Sequence, residues 1–391
     1  MVQRKKKILF MSISAGQGHH SACRAAMEAL SGRDDVRCAM LDTLMYVNKT
    51  VGKSVDRGYE WIIRVLPDAF GSAFRSAMKV REPGTKEWER GQRGIERAAE
   101  LFLSEKLIRY VQIYNPDIIV SPHVFASIII TGLRKHGITK ARTVLIITDY
   151  VLHPWVEYTE TDYYILAAPQ LKYQATRRGI PEEKIIATGI PVHPSFSLKK
   201  DKRQARRELL WDDKLTILIM GGSMGYGTIK EIIREIDRMP QDFQIVSVCG
   251  KNKHMYDAIA GLELRHKLFN YGFTDKVSDM MDAADILLTK PGGLTSSEAL
   301  EKKVPMVLFS PIHGQEDYNL EFFLNNGVAM HIPEYLASDE VLHMLLENPQ
   351  RMDQMRQAQE SLGIGQASRK LADFLMSLPA QEDEARENTS N

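Results

Sequence analysis

The chain has 391 residues, 44% hydrophobic and 26% charged; this is a globular composition, too long for one ordinary core, so two domains are expected. The net charge of +1 hides a split, with 28 Lys/Arg against 20 Asp/Glu in residues 1–195 and 23 against 30 in residues 196–391. Three scattered cysteines, Cys23, Cys38 and Cys249, show no Cys-x-x-Cys and no metal-ligand spacing, which argues against a disulfide framework or a zinc site and suits a reducing cytoplasm. No stretch approaches the roughly 20 apolar residues of a membrane span, so any membrane contact is expected to be peripheral.

The basic start is followed by an apolar run, residues 8–11, far too short for a signal peptide. Residues 7–13 read as a strand, residues 14–20 (SAGQGHH) as a glycine loop and residues 21–30 as a helix. Further strands are expected at 36–41, 117–120, 143–148, 163–167 and 184–188. Gly189-Ile190-Pro191-Val192-His193-Pro194 breaks regular structure and marks a boundary, with a basic segment at 199–207 behind it. A second series follows: a strand at 215–220, a glycine loop at 221–227 (GGSMGYG), a helix at 228–238, and strands at 244–249, 268–271, 285–289 and 305–309. Both halves therefore read as α/β, with parallel, helix-covered sheets whose ligands gather at the carboxyl ends of the strands. The expected domains are 1–195 and 196–365, then a closing helix within 366–380 and a polar, disordered tail at 381–391.

Between Tyr46 and Tyr110 the texture changes. Tyr46, Tyr59, Trp61, Phe70, Phe74, Trp88 and Phe102 alternate with Lys49, Lys53, Arg57, Arg64, Arg75, Lys79, Arg81, Arg90 and Arg93. Aromatics mixed with cations suit an anionic membrane surface. The alternative is a set of ordinary amphipathic helices on the sheet, with their charges in solvent. The charge split likewise suggests that only the first half meets an anionic partner, with chance variation as the alternative.

Several loops carry candidate chemistry. Gly16-Gln17-Gly18-His19-His20 places imidazoles at the end of the first strand, where a histidine can take a proton from a hydroxyl; a helix-capping loop is the plain alternative. Thr148-Asp149 and His153-Pro154-Trp155 close another first-half strand. Trp155 either stacks on a sugar, touches a lipid or packs in the fold. In the second half, Gly221-Gly222-Ser223 can contact a diphosphate, although it lacks the ending of a P-loop. Gly272-Phe273-Thr274 offers backbone groups and an aromatic face to a nucleobase, unless Phe273 is core. Pro291-Gly292-Gly293 lets the backbone approach a ligand closely. Thr295, Ser296 and Ser297 then open a helix whose N–H groups favour an anion. Glu298 cannot bind phosphate and is placed to accept from sugar hydroxyls. Gln315, Glu316 and Asn319 sit in a polar loop after the last strand.

Taken in order, these motifs resemble the GT-B glycosyltransferases of the monogalactosyldiacylglycerol synthase and processive diacylglycerol glucosyltransferase type, over residues 5 to about 375. The specific part is Pro291, Gly292, Gly293, Thr295, Glu298, Ala299 and Leu300, then Val304-Pro305, then Gly314-Gln315-Glu316 and Asn319. The first loop, SAGQGHH, departs from relatives that carry a third glycine. The resemblance implies an α/β GT-B fold, two Rossmann-like domains facing each other across a cleft. It implies an inverting transfer of a hexose from a UDP-sugar to diacylglycerol or a glycosyldiacylglycerol, with no cofactor, no metal and no nucleic-acid partner. UDP-sugar binding is expected through Gly18, Gly222, Ser223, Gly272, Phe273, Thr274, Gly292, Gly293, Thr295, Ser296, Glu298, Gln315, Glu316 and Asn319, and acceptor binding through His153 and Trp155. His19 is the expected general base, His20 the lesser choice and Asp149 a back-up. The expected location is cytoplasmic, peripheral on the inner face of the cell membrane. A soluble enzyme resembling UDP-GlcNAc 2-epimerase is the competing reading, and a UDP-sugar-sensing regulator is the non-enzymatic one.

Overall fold

The computed structural model describes residues 4–13, 17–47, 67–79, 85–222, 225 and 227–381. The chain forms two compact units, one running to Pro194 and resuming at Gln366, the other spanning Ser195–Gly365.

The first unit is built on six parallel strands in the order β2-β1-β3-β4-β5-β6. They are β1 Lys6–Ser12, β2 Val36–Asp42, β3 Ile118–Ser121, β4 Arg142–Ile146, β5 Tyr163–Ile165 and β6 Ile185–Ile186. A parallel sheet covered on both faces needs strands apolar on both sides. Residues Ile8, Leu9, Phe10 and Met11 of β1 meet that need and are fully buried. Ile8 and Phe10 face one core with Val120, Val144 and Ile146. Leu9 and Met11 face the other with Leu107, Val111, Ile129 and Leu133. The last helix, Ala367–Ser377, covers the first of these faces with Leu371, Ala372 and Leu375. The Lys6 ammonium donates to the Met376 carbonyl at 2.6 Å and anchors its end.

The second unit repeats the plan with six parallel strands in the order β12-β11-β10-β7-β8-β9. They are β7 Thr216–Met220, β8 Gln244–Val248, β9 Lys267–Tyr271, β10 Ile286–Thr289, β11 Met306–Leu308 and β12 Ala329–His331. All eleven strands expected from hydropathy exist; β12 was not anticipated, because three edge residues carry too little periodicity to be read. In each sheet the strand order reverses once, between β1 and β3 and between β7 and β10. Ligands of such sheets bind in the crevices outside the carboxyl ends at these reversals.

Gly225, after β7, sits in a demanding geometry. Gly225 has φ +60°, and a Cβ there would lie 2.2 Å from the Cys249 carbonyl oxygen. Its own carbonyl accepts from Asn252 Nδ2 at 3.0 Å. Gly225→Ala is therefore expected to cost roughly 2 kcal/mol through the left-handed backbone and the clash, read as a fall in the urea midpoint.

Much of the aromatic–cation region lies outside the described residues, including Lys49, Lys53, Arg57, Tyr59, Trp61, Arg64 and Arg81. Aromatic side chains that are described pack against other rings. Phe102 meets Phe125 at 5.0 Å and Tyr46 meets Tyr110 at 5.2 Å. Trp88 lies 6.1 Å from Tyr158. Arg75, Lys79, Arg90 and Arg93 point to solvent. Among the described residues no helix is long and apolar enough to cross a membrane.

Candidate active site

The reversal in the first sheet gathers histidines. The chain leaves β1 and enters the helix Gln17–Ala29, whose first turn carries Gly18, His19 and His20. That helix begins earlier than expected, so these three residues are helical rather than part of a loop; Ser14, Ala15 and Gly16 lie outside the described residues. From the end of β3, the Pro122 carbonyl lies 3.0 Å from His19 Nδ1. Thr148, beyond β4, brings its hydroxyl to 3.0 Å from the same nitrogen. A carbonyl only accepts, so Nδ1 carries the proton and Nε2 is left with a bare lone pair. Burial, with a small contribution from His20, lowers the His19 pKa to about 4. The ring is thus neutral near pH 7, in the tautomer a general base requires. His20 turns instead to Asp42, with Nε2 3.3 Å from Oδ2.

Two further imidazoles stand near His19. His123 lies edge-on at 4.7 Å between ring centroids. Burial, and the nearby His19 and His153, hold it well below the usual histidine range. His153 accepts from the Trp155 N–H at 3.2 Å and packs against the Phe74 and Trp155 rings at 5.6 and 5.2 Å. Burial, followed by Arg178 and His19, lowers its pKa to about 3. Trp155 itself is 40% exposed, so it is not core. Asp149 follows Thr148 and is partly buried.

The reversal in the second sheet brings together a helix N-terminus and a lysine. The helix Gly293–Lys302 starts at Gly292, which has extended backbone and no side-chain cap. Its first internal bond runs from Ser296 N to the Gly292 carbonyl. The N–H groups of Gly293, Leu294 and Thr295 therefore have no partner within the helix and sit at its positive end. Beside them, Lys290 at the end of β10 pairs with Glu316 at 3.1 Å, both side chains being nearly buried. Glu316 Oε2 also accepts from Ile312 N at 2.8 Å, and Oε1 would lie 3.5 Å from a Cβ on Gly292. A buried cation and a helix N-terminus converge on one glycine turn. The motif reading missed Lys290, although its signal is a lysine ending an otherwise apolar strand. Glu298 lies one turn into the helix with no hydrogen bond or ion pair among the described residues. It keeps some exposure, yet the surrounding fold pushes its carboxyl up to about 8 through burial.

Two expected ligands are corrected here. Asn319 is fully buried and donates from Nδ2 to the Pro291 carbonyl at 3.0 Å. It pins the helix Gln315–Asn325 to the glycine turn, so its side chain is not offered to a sugar. Ser296 is also fully buried; its N–H, expected to reach the anion through the helix start, is bonded to the Gly292 carbonyl at 3.1 Å, and its hydroxyl has no hydrogen-bond partner among the described residues. Asn319→Ala is expected to cost about 1–2 kcal/mol in thermal or denaturant unfolding, because it leaves the Pro291 carbonyl unsatisfied.

Thr295, Gly292, Gln315 and Glu316 retain partial exposure around the turn. Gly222 has φ +73° and follows β7, while Ser223 lies outside the described residues. Gly272, Phe273 and Thr274 follow β9, and Phe273 is 69% exposed, so it is not core. Lys251 Nζ stands 5.9 Å from its ring centroid. Among the described residues no group of His, Cys, Asp and Glu is placed to hold a metal ion.

Comparison with known proteins fits both halves. The model of the monogalactosyldiacylglycerol (MGDG) synthase family matches residues 19–192, and that of the glycosyltransferase family 28 C-terminal domain matches residues 216–374. The first match takes in the histidine cluster and the second the glycine turn with its helix. This chain is a glycosyltransferase, with an MGDG-synthase-type first half and a family 28 second half. A processive diacylglycerol beta-glucosyltransferase of Bacillus cereus (strain AH187) is 29% identical over 265 residues, covering 67% of this chain and 68% of the relative. By fold, the glycosyltransferase is similar to Acinetobacter baumannii MurG, with a TM-score of 0.61 at 16% identity, covering 95% of this chain and all of that one. It is also similar to UDP-GlcNAc 2-epimerase from Neisseria meningitidis bound to UDP-GlcNAc, with a TM-score of 0.56 at 14% identity and the same coverage. The two Rossmann-like halves are thus those of the GT-B fold.

Proposed function

We propose that this glycosyltransferase moves a hexose from a UDP-sugar to diacylglycerol or a glycosyldiacylglycerol, with inversion and by a single displacement. The observation that carries the reading is His19, a neutral imidazole with Nδ1 fixed by the Pro122 carbonyl and Nε2 bare. In the step, the acceptor oxygen attacks the anomeric carbon and its proton passes to His19 Nε2. The bond from that carbon to the diphosphate oxygen breaks, and UDP leaves with the electron pair.

The donor is assigned to the second unit. The N–H groups of Gly293 and Thr295, the end of their helix and Lys290 stabilise the diphosphate as negative charge gathers on it. Glu298 accepts from the ribose, while Gly272, Phe273 and Thr274 frame the base. Gln315 and Glu316 orient the sugar, and Gly222 and Ser223 support the leaving phosphate. The acceptor is assigned to the first unit, beside His153 and Trp155, with Asp149 as the back-up base. Support for a lipid alcohol comes from the name of the Bacillus cereus relative and from the excess of Lys/Arg in residues 1–195. We place the enzyme at the inner face of the cell membrane, held there by anionic lipid.

An epimerase would need neither lipid nor membrane. Incubation with a panel of UDP-sugars and diacylglycerol vesicles, read by mass spectrometry, separates the alternatives. The expected product is a glycosyldiacylglycerol; an epimerised nucleotide sugar without glycolipid would overturn the assignment. The protein is also expected to sediment with vesicles containing anionic lipid and to be released by salt. Equal recovery with neutral vesicles would remove the electrostatic anchor.

A further inference from the structure

The chain segment that fixes His19 also fixes a second imidazole, in the opposite sense. The Pro122 carbonyl accepts from His19 Nδ1–H, so His19 Nε2 can only accept. One residue later His123 caps the helix Val124–Lys135, its Nδ1 accepting from the Phe125 N–H at 3.1 Å. That nitrogen is therefore bare, and in the neutral ring the single proton sits on Nε2, which can only donate. The rings meet edge-on, 4.7 Å between centroids and 86° between planes. Neither Nε2 has a hydrogen-bond partner among the described residues.

A hydroxyl group has complementary needs, donating one hydrogen bond and accepting another. We propose that His123 is an acceptor-binding residue, its Nε2–H holding the oxygen of the acceptor alcohol while that hydroxyl donates to His19 Nε2. One oxygen lone pair is then engaged by His123, and the other remains to attack the anomeric carbon. When the proton transfers to His19, the His123 bond remains and keeps the oxygen aimed. Capping the helix does not require a histidine, since Asn or Ser does it with a shorter side chain; the distal N–H is what the imidazole adds. The inference rests on His19 as the base and extends that reading to the alcohol it deprotonates.

The test uses the full chain, a UDP-sugar donor and dioleoylglycerol in mixed micelles. His123→Asn keeps a cap for Phe125 N–H but loses the distal donor. It is expected to lower kcat/KM for the lipid by one to two orders of magnitude, with UDP affinity and Tm near wild type. His123→Gln, whose amide reaches further, is expected to recover part of the loss. His123→Ser, another cap too short to reach, repeats the measurement if the Asn variant does not fold. A short-side-chain variant that folds with kcat/KM within twofold of wild type overturns the assignment. If that happens while His19→Ala is inactive, the base stands and only His123 is released. A wild type that glycosylates no dioleoylglycerol overturns the functional reading, and this inference with it.

Discussion

Replacing His19 by alanine is expected to lower glycosyl transfer by about 10³-fold while leaving UDP affinity unchanged. The general base disappears, but the nucleotide is assigned to the other unit. Isothermal titration with UDP and a single-turnover assay separate the two effects, and near-normal turnover would remove His19 from the base role. The pH dependence follows from the same environment. Burial lowers the His19 pKa from 6.5 to about 4, so the base stays neutral across the neutral range. The contribution of this group to the rate profile should be flat from pH 7 down to about 5 and fall as pH approaches 4. Stability moves in the same direction. A histidine that is harder to protonate when folded gives the unfolded chain more protons at low pH. Its contribution is present above 6.5 and is lost as pH falls through about 4. His19→Gln should remove that part of the acid sensitivity.

Above pH 8, where its carboxyl is ionised, Glu298→Ala is expected to weaken UDP binding by about 10²-fold, because up to two charge-assisted hydrogen bonds from ribose hydroxyls are lost. Titration calorimetry checks it, and unchanged affinity would show that the ribose is held elsewhere. Glu298 also carries a pH signature of opposite sign to that of His19. Its carboxyl is raised from 4.5 to about 8 by burial, so the folded chain holds a proton that the unfolded chain releases earlier. The associated stability is full below 4.5 and is lost as pH rises through about 8. Ionisation creates the better acceptor, so UDP affinity should rise toward pH 8 relative to Glu298→Gln, which has no such titration. Parallel pH profiles for wild type and the Gln variant would show that ionisation of Glu298 plays no part.

The strands that position these groups were legible because parallel sheets demand long apolar runs, and Ile8–Met11 and Ile217–Ile219 supply them at 0% exposure. The glycine turn at 291–293 was legible for a related reason, since adjacent glycines before a helix are costly unless backbone must come close to something. Partners across the fold were not legible. Asn319 and Glu316 look alike in a polar segment, yet Asn319 is sealed against the Pro291 carbonyl and Glu316 is paired with Lys290. Phe273 could be read as core or as platform, and only its 69% exposure decides.

The amino-acid sequence by itself determined the two parallel-sheet halves, the places where their loops gather and the chemistry those loops can offer. These properties depend on local periodicity, on glycine and on the side chains present. The tertiary structure alone decided which histidine has the surroundings a base needs. The proton on His19 is placed by a carbonyl 103 residues away and its pKa by burial; both arise only when β1, β3 and β4 lie side by side, because hydrogen bonding and desolvation act across space rather than along the chain.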